Sequence, residues 1–477
     1  MPPRASKRAR NRSASASDAR EVSGTPGQLL DGRAVARIFD AIFEPYRHVV
    51  LAVSGGVDSM AMMHLAADWR ASRLASSPAA PAPTFSVVTV DHGLRPESAS
   101  EAAGVRCVAA RLGLSHTTLV WEGLKPATGI QAAARAARYR LIFEYLEAHG
   151  LDVMATAHTR DDQAETLLMR LARGSGVDGL SGIQGVKQLG RHTVLRPMLS
   201  FAKVDLIASL RAKGETWIED PSNDKQQFER VRLRQMRGSF EAAGLSNEAV
   251  ALSARRLGRA RQALDEMAVS CVERAGDKIR LDDLGYAEFS WGWMLSLPEE
   301  IRLRILTRLI ASVGGGEDPV SLSGLEAMTE GNGWNSPAGH SLAGVVFSAG
   351  TTPDTIVAVR ESGRRAQPLP TLDLKSGQRR EWDRRFIVVN ASHPARDFRV
   401  CALGAEGIAA VKAACKKVGI NLPAHPQAAL SVIPSFWDGE RLAAVPLLNY
   451  FESGSVPSQF ESTLSVQPFV GQEHLKS

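Results

Sequence analysis

The sequence predicts an α/β protein: a parallel β-sheet covered by helices, then a mostly helical region, then a small C-terminal α/β domain. Three observations predict it. Between Arg47 and Arg173 short apolar runs alternate with stretches of helical period. Such alternation implies right-handed βαβ units and a parallel sheet buried on both faces. Several of those apolar runs end in a polar or glycine-bearing turn, where ligands of such sheets bind. After Arg173 the alternation stops, and 477 residues are in any case too many for one ordinary core.

The elements follow in order. Residues 1–25 carry Arg4, Lys7, Arg8, Arg10, Arg12 and Arg20 among serines and alanines, opposed only by Asp18 and Glu21. They read as a disordered basic arm, with an organelle transit peptide as the sharper alternative. His48–Val53 is a buried strand, followed by a Gly turn and the periodic stretch Asp58–Trp69. A Ser/Ala/Pro loop leads to the strand Phe85–Val90. Glu97–Leu112 reads as helix, His116–Trp121 as strand and Gln131–His149 as helix again. Leu151–Ala157 is a fourth strand and Asp161–Ala172 a helix. Gly174–Gly190 is a Gly-rich loop, and Phe201–Leu264 is mostly helical and basic. Asp265–Val359 is mixed, and a linker at 368–381 precedes a small α/β piece from Trp382.

Composition narrows the class. Hydrophobic residues make up 44% and charged residues 23%, as in soluble globular proteins. No run approaches the ~18 apolar residues of a membrane span, so no membrane partner is expected. The four cysteines, Cys107, Cys271, Cys401 and Cys415, form no Cys-x-x-Cys. That argues for a reducing, cytoplasmic compartment and against a disulfide scaffold or Cys-held metal. The net charge of +6 permits a polyanionic partner without establishing one.

Chemistry concentrates at the turns. Ser54-Gly-Gly-Val-Asp-Ser59 follows a strand and opens a helix. Gly55 and Gly56 allow a tight turn and close backbone approach. The helix start beyond them offers free N–H groups to phosphate. Ser54 and Ser59 add hydroxyls, and Asp58 could hold Mg²⁺. Walker-type Gly-Lys-Ser/Thr is absent. Asp91-His-Gly-Leu-Arg95, with Ser98 and Glu101, ends the second strand. It reads either as a nucleotide or metal contact or as helix capping. Arg135-Ala-Ala-Arg-Tyr139 puts two arginines on one helix face. Ala155-Thr-Ala-His-Thr-Arg-Asp-Asp-Gln-Ala-Glu-Thr166 sets Asp162 and Glu165 on one face below His158, or simply complements a helix dipole.

The hexapeptide resembles the pyrophosphate loop of the N-type ATP pyrophosphatases (PP-loop proteins), which transfer AMP from ATP to an oxygen. All four segments together resemble the signature of the tRNA(Ile)-lysidine synthetases, over about residues 45–235, including Glu219-Asp-Pro-Ser-Asn223. Two departures are Thr159, where many members have a second histidine, and Val231, where an asparagine often follows the arginine. The resemblance implies a PP-loop catalytic domain at 26–225, a helical or mixed tRNA-binding region at 226–367 and a small C-terminal domain at 382–477.

It also implies a reaction. ATP and Mg²⁺ activate C2 of the wobble cytidine in a CAU-anticodon tRNA(Ile) by adenylation. Free L-lysine then displaces AMP, which changes the codon read from AUG to AUA. The implied ATP contacts are Ser54, Gly55, Gly56, Val57, Asp58, Ser59 and Asp91, with Mg²⁺ on Asp58 and Asp162. Asp162 and Glu165 are implied to hold the lysine amine, and Arg138 its carboxylate. His158 contacts phosphate or assists proton transfer. Arg230, Arg234 and Arg237 recur at helical spacing and read as a tRNA phosphate stripe or as arginines paired with local acids. A second cluster, Arg255, Arg256, Arg259 and Arg261, follows. Oligomeric state stays open, a homodimer included.

Three rivals share some of these features. A tRNA cytidine thiolase needs paired cysteines, and Cys107 stands alone in the catalytic region. An amidating synthetase needs a glutaminase partner domain, which is not visible. A silent RNA-binding protein has no use for Asp58, His158, Asp162 and Glu165.

Overall fold

The computed structural model describes residues 27–465, except 78–81, 124, 127, 220–228, 317–319, 331–338, 365–366, 420–423 and 453–456. The basic arm and Asp220–Asn223 of the resemblance lie outside the described residues. The chain forms two compact units, Met1–Gly258 and Arg259–Ser477. The expected boundaries at 225/226 and 367/368 fall inside them.

The first unit opens with helix α1 (Gly32–Phe43), β1 (His48–Ala52), α2 (Val57–Ser76), β2 (Thr84–Asp91), α3 (Ser98–Arg111) and β3 (Ser115–Val120). It continues with α4 (Ile130–Ala148), β4 (Val153–Ala155), α5 (Arg160–Leu171), α6 (Val177–Leu180), β5 (Val186–Leu189), β6 (His192–Leu195) and α7 (Lys203–Ala212). Short helices α8 (Glu229–Gln235) and α9 (Arg237–Ala242) lead into α10 (Asn247–Glu273), which contains the boundary between the units.

The sheet order is β3-β2-β1-β4-β6-β5, parallel except for the edge hairpin β5/β6. Val49 and Leu51 of β1 enter one core with Phe39, Phe43, Met63, Trp69 and Phe85, while Val50 enters another with Ile142 and Met154. This two-sided burial explains why the strand reads as an unbroken apolar run. Phe39 and Phe43 are fully buried, each contributing about 1.5–3 kcal/mol. Their rings meet edge to face at 5.1 Å.

The Gly-rich stretch Gly174–Gly190, expected to be a loop, carries α6 and β5, and the next residues form the buried strand β6. Strand β6 is four residues long, and its polar members find partners through His192 Nε2 and Thr193 Oγ1. His192 bonds Glu147 at 3.2 Å and stacks on Phe143 at 4.5 Å. Order reverses between β1 and β4: from β1 the chain steps to β2 on one side, and β4 lies on the other. That switch point opens a crevice at the strands' carboxyl ends.

The second unit is built on antiparallel sheets. One has strands Ile279–Leu281, Ala287–Ser290, Thr355–Arg360, Val345–Ala349 and His340–Leu342 in that order, under helix Glu299–Gly314. Another, of five strands between Leu372 and Phe451, packs with a three-stranded sheet around Trp382, Phe386 and Phe436. The stretch 368–381, expected to be a linker, contributes strands Leu372–Leu374 and Arg379–Trp382. Leu374 and Trp382 are fully buried there, and so short a run shows no period in the sequence. Among the described residues no helix is long and apolar enough to cross a membrane.

Candidate active site

The crevice at the switch point is a cavity of ≈ 1080 Å³. Its lining includes Ser54, Gly56, Val57, Asp58 and Ser59 after β1, Asp91 and His92 after β2, and His158 and Asp162 after β4. Strand order brings these three sequence motifs together, and the fourth, with Arg135, Arg138 and Tyr139 of α4, stands on the remaining wall.

The loop after β1 is pinned from both sides. Val53 N–H donates to the Val88 carbonyl at 2.9 Å, and Ile218 N–H to the Gly55 carbonyl at 2.9 Å. Gly55 takes φ +86°, and a Cβ there would stand 2.2 Å from Ile218 Cδ1. It does not line the cavity, so its part is conformational. Gly56 caps α2 with no side chain of its own. Ser59 Oγ donates to the Gly56 carbonyl at 2.9 Å and accepts from Ser54 N–H at 3.1 Å. The turn is thus rigid before any ligand arrives, with the start of a 20-residue helix behind it.

Asp58 pairs through Oδ2 with Lys203 Nζ at 3.1 Å. Its Oδ1 is buried and makes no hydrogen bond within the protein. Burial raises the Asp58 pKa, Lys203 opposes the rise, and Asp162 adds to it. A buried carboxylate oxygen with nothing to bind, in one cavity with a second carboxylate whose charge it feels, fits a hard cation. Among the described residues no group of three or more metal-ligating side chains occurs. Mg²⁺ suits this poverty, because it takes one or two carboxylates and completes its shell with substrate phosphate and water.

Thr159 caps α5: its hydroxyl accepts from Asp162 N–H at 3.4 Å, while Asp162 Oδ2 accepts from Thr159 N–H at 2.8 Å. One oxygen of Asp162 therefore serves a capping box, and Oδ1 lies 3.8 Å from Arg230 Nη1. His158 Nδ1 shares a hydrogen bond with Thr156 Oγ1 at 3.0 Å. Burial, opposed by Asp162 and aided by Arg196, lowers the His158 pKa to about 4. His158 is neutral at pH 7. Across the cavity His92 shares a 3.4 Å contact with Arg138 Nη2, and burial with Arg138 lowers His92 to about 4 as well. Arg138 always donates, so His92 Nε2 accepts and its proton sits on Nδ1. Asp91 Oδ1 accepts from Gly93 N–H at 2.8 Å and shapes the turn.

Glu165 stands apart from this lining. Its carboxylate is buried and gripped by Arg234, with Nε to Oε1 at 2.5 Å and Nη2 to Oε2 at 3.1 Å. Arg237 donates to Asp161 Oδ1 at 3.2 Å and to Glu241 at 2.9 Å. The three arginines of the expected phosphate stripe thus face the three acids of α5. Helical spacing placed them on one face correctly, but partners 68 to 76 residues away in sequence were not legible. Sequence reasoning also missed Lys203, a single residue among 57 lysines and arginines with no motif around it.

A family model described as the PP-loop domain matches residues 32–237. The chain is similar to a tRNA(Ile)-lysidine synthase from a Bradyrhizobium species, 44% identical over 307 residues, covering 61% of this chain and 82% of that one. It is similar to another from Ruegeria pomeroyi, 34% identical over 415 residues, covering 85% and 89%. Among solved structures, the U34-tRNA thiolase NcsA from Methanococcus maripaludis aligns with 48% of this chain and 78% of its own at 13% identity and TM-score 0.40.

Proposed function

The chain belongs to the tRNA(Ile)-lysidine synthase family, and we propose that the cavity at the switch point carries out the family's reaction in two half-reactions. The enzyme uses ATP to form lysidine at the wobble position of tRNA(Ile). The observation that carries the two-step reading is the convergence, in one cavity, of a rigid phosphate loop, an acid with one unpartnered oxygen and a basic wall.

In the first half-reaction the C2 oxygen of the wobble cytidine of a CAU-anticodon tRNA attacks the α-phosphorus of ATP. The bond to the bridging oxygen breaks, and pyrophosphate leaves along Ser54–Ser59. Ser54, Ser59 and the α2 N–H groups hold its oxygens. Asp58 and Asp162 would hold Mg²⁺, which supplies charge neutralisation at the phosphates. In the second half-reaction the lysine ε-amine bonds to C2 and AMP leaves with the C2 oxygen. Arg138, aimed by His92, grips the lysine carboxylate.

Asp162 meets the amine first, and Glu165 becomes available to it on release of Arg234. Only about 0.04% of a free lysine amine is neutral at pH 7. His158, at about 4, is a poor base for an ammonium near pKa 10.4, since that transfer is uphill by roughly 9 kcal/mol. We therefore assign His158 to hydrogen bonding with phosphate or base, and proton loss to the adduct, whose ammonium is more acidic. A reaction that joins ATP, free lysine and tRNA suits the cytoplasm, which we propose as its location.

The test is incubation with Mg-ATP, labelled L-lysine and unmodified CAU-anticodon tRNA(Ile), followed by counting label retained in the tRNA. Label that disappears in Asp58→Ala, and on replacing the wobble cytidine, supports both chemistry and target. AMP transfer to this tRNA with no lysine incorporation would remove the second half-reaction and keep the first.

A further inference from the structure

Lys203 lines the same cavity as Ser54, Asp58 and His158, and neither its sequence context nor the roles above give it a task. Its backbone is fixed, while its head is held by a single ion pair. Lys203 N–H donates to Asp161 Oδ2 at 2.8 Å, and the preceding Phe201 carbonyl accepts from Arg160 N–H at 3.0 Å. Those two bonds seat the start of α7 on the start of α5. From there the four-carbon stem reaches across to the phosphate loop and ends on Asp58 Oδ2 at 3.1 Å.

That contact is easily broken. The Lys203 side chain is 40% exposed and that of Asp58 26%, and ion pairs so open to water contribute little to stability. A cation held only loosely on the residue that carries the phosphate loop's sole acid can change partners when phosphate enters. Its ammonium offers three donors on a flexible stem, which suits an anion whose charge grows and moves.

We propose that Lys203 is a further catalytic residue of the adenylylation step, holding Asp58 in the free enzyme and pairing with the departing pyrophosphate. The inference rests on the function proposed above and adds a residue to it. As the base oxygen bonds to the α-phosphorus, the bond to the bridging oxygen breaks and its electron pair leaves on pyrophosphate. The extra negative charge therefore builds on the β-phosphate side, over Ser54–Ser59, where Asp58 and Lys203 meet. Leaving Asp58 also frees Oδ2 beside the already unpartnered Oδ1, so the same movement opens the acid to a cation.

The experiment compares wild type, Lys203→Ala and Lys203→Arg in ATP–pyrophosphate exchange with unmodified tRNA, and in Mn²⁺ binding to the free enzyme by electron paramagnetic resonance. Exchange is expected to fall on the order of 10²-fold in Lys203→Ala and to stay within about tenfold of wild type in Lys203→Arg. Mn²⁺ should bind Lys203→Ala at least as tightly as wild type, because the competing ammonium is gone. Exchange by Lys203→Ala within about threefold of wild type would overturn the inference. So would a parallel loss of exchange and Mn²⁺ binding with no rescue by arginine, which would reduce Lys203 to a support for Asp58. A wild type that fails to exchange with this tRNA sinks the proposed function, and this inference with it.

Discussion

At the scale of single residues, the site separates charge by burial. Asp58 and Glu165 are pushed up by desolvation, while His92 and His158 are pushed down to about 4. For the histidines this has a consequence for stability. An unfolded histidine titrates near 6.5, so between about pH 6.5 and 4 the unfolded chain binds more protons than the folded one. Stability is then fully present above about 6.5 and is lost as pH falls toward 4. Replacing His158 by glutamine keeps a neutral partner for Thr156 and removes one of these titrations. The expected result is a smaller drop in Tm between pH 7 and pH 5 for His158→Gln than for wild type. Parallel drops would mean that the imidazole is solvated and charges freely. Apart from Lys203, the residue types discussed at the site were readable in the sequence. Their environment was not, because no motif states which carboxylate oxygen a cap consumes or which histidine is dry.

At the scale of elements, the strands β1 to β4 and the helices between them were legible for physical reasons. Strands β1, β2 and β4 are largely buried runs, β3 is a partly exposed edge strand, and each helix opens beside a Gly, Ser, Thr or Asp that interrupts the apolar pattern. The hairpin β5/β6 was not legible. Its buried His192 and Thr193 read as polar, and only the fold supplies Glu147 and Gln188 to pair with them. The joining of α8 to α5 was equally hidden, because Arg234 and Glu165 meet only after the intervening chain has folded. That joint makes a prediction about stability. Removing one member of a fully buried pair costs about 3–5 kcal/mol. The Arg234 side chain keeps 43% exposure, so Arg234→Ala is expected to cost less, about 1–3 kcal/mol. Glu165→Gln together with Arg234→Ala should cost less than Arg234→Ala alone, since no charge is left stranded. Chemical denaturation of wild type and the two variants measures both numbers. A loss under about 0.5 kcal/mol in Arg234→Ala would show that water already replaces the pair.

At the scale of the whole molecule, the question is where a polyanion of tRNA's size is held. Net charge is +6, a small excess of 57 basic over 51 acidic residues, so the field is set by placement more than by amount. The arginines of α8 and α9 that helical spacing singled out are engaged with Asp161, Asp162 and Glu165. They are paired with the acids of α5, although their side chains stay 39–43% exposed. Helix α10 differs. Val250 and Ala254 are buried against Ala164 and Leu167, while Arg255, Arg256 and Arg259 are exposed at helical spacing on its outer face. A phosphate contact releases counterions, so each one steepens the fall of affinity with salt by about 0.7–0.9 in a log–log plot. Arg255→Ala with Arg256→Ala should therefore weaken tRNA binding and lower that slope by about 1.4–1.8. Arg237→Ala should leave the slope unchanged. Fluorescence anisotropy with labelled tRNA across a salt series reads both. A slope untouched by the double substitution would move the tRNA surface off α10, and a slope lowered by Arg237→Ala would mean that the α9 arginine leaves Asp161 when tRNA arrives.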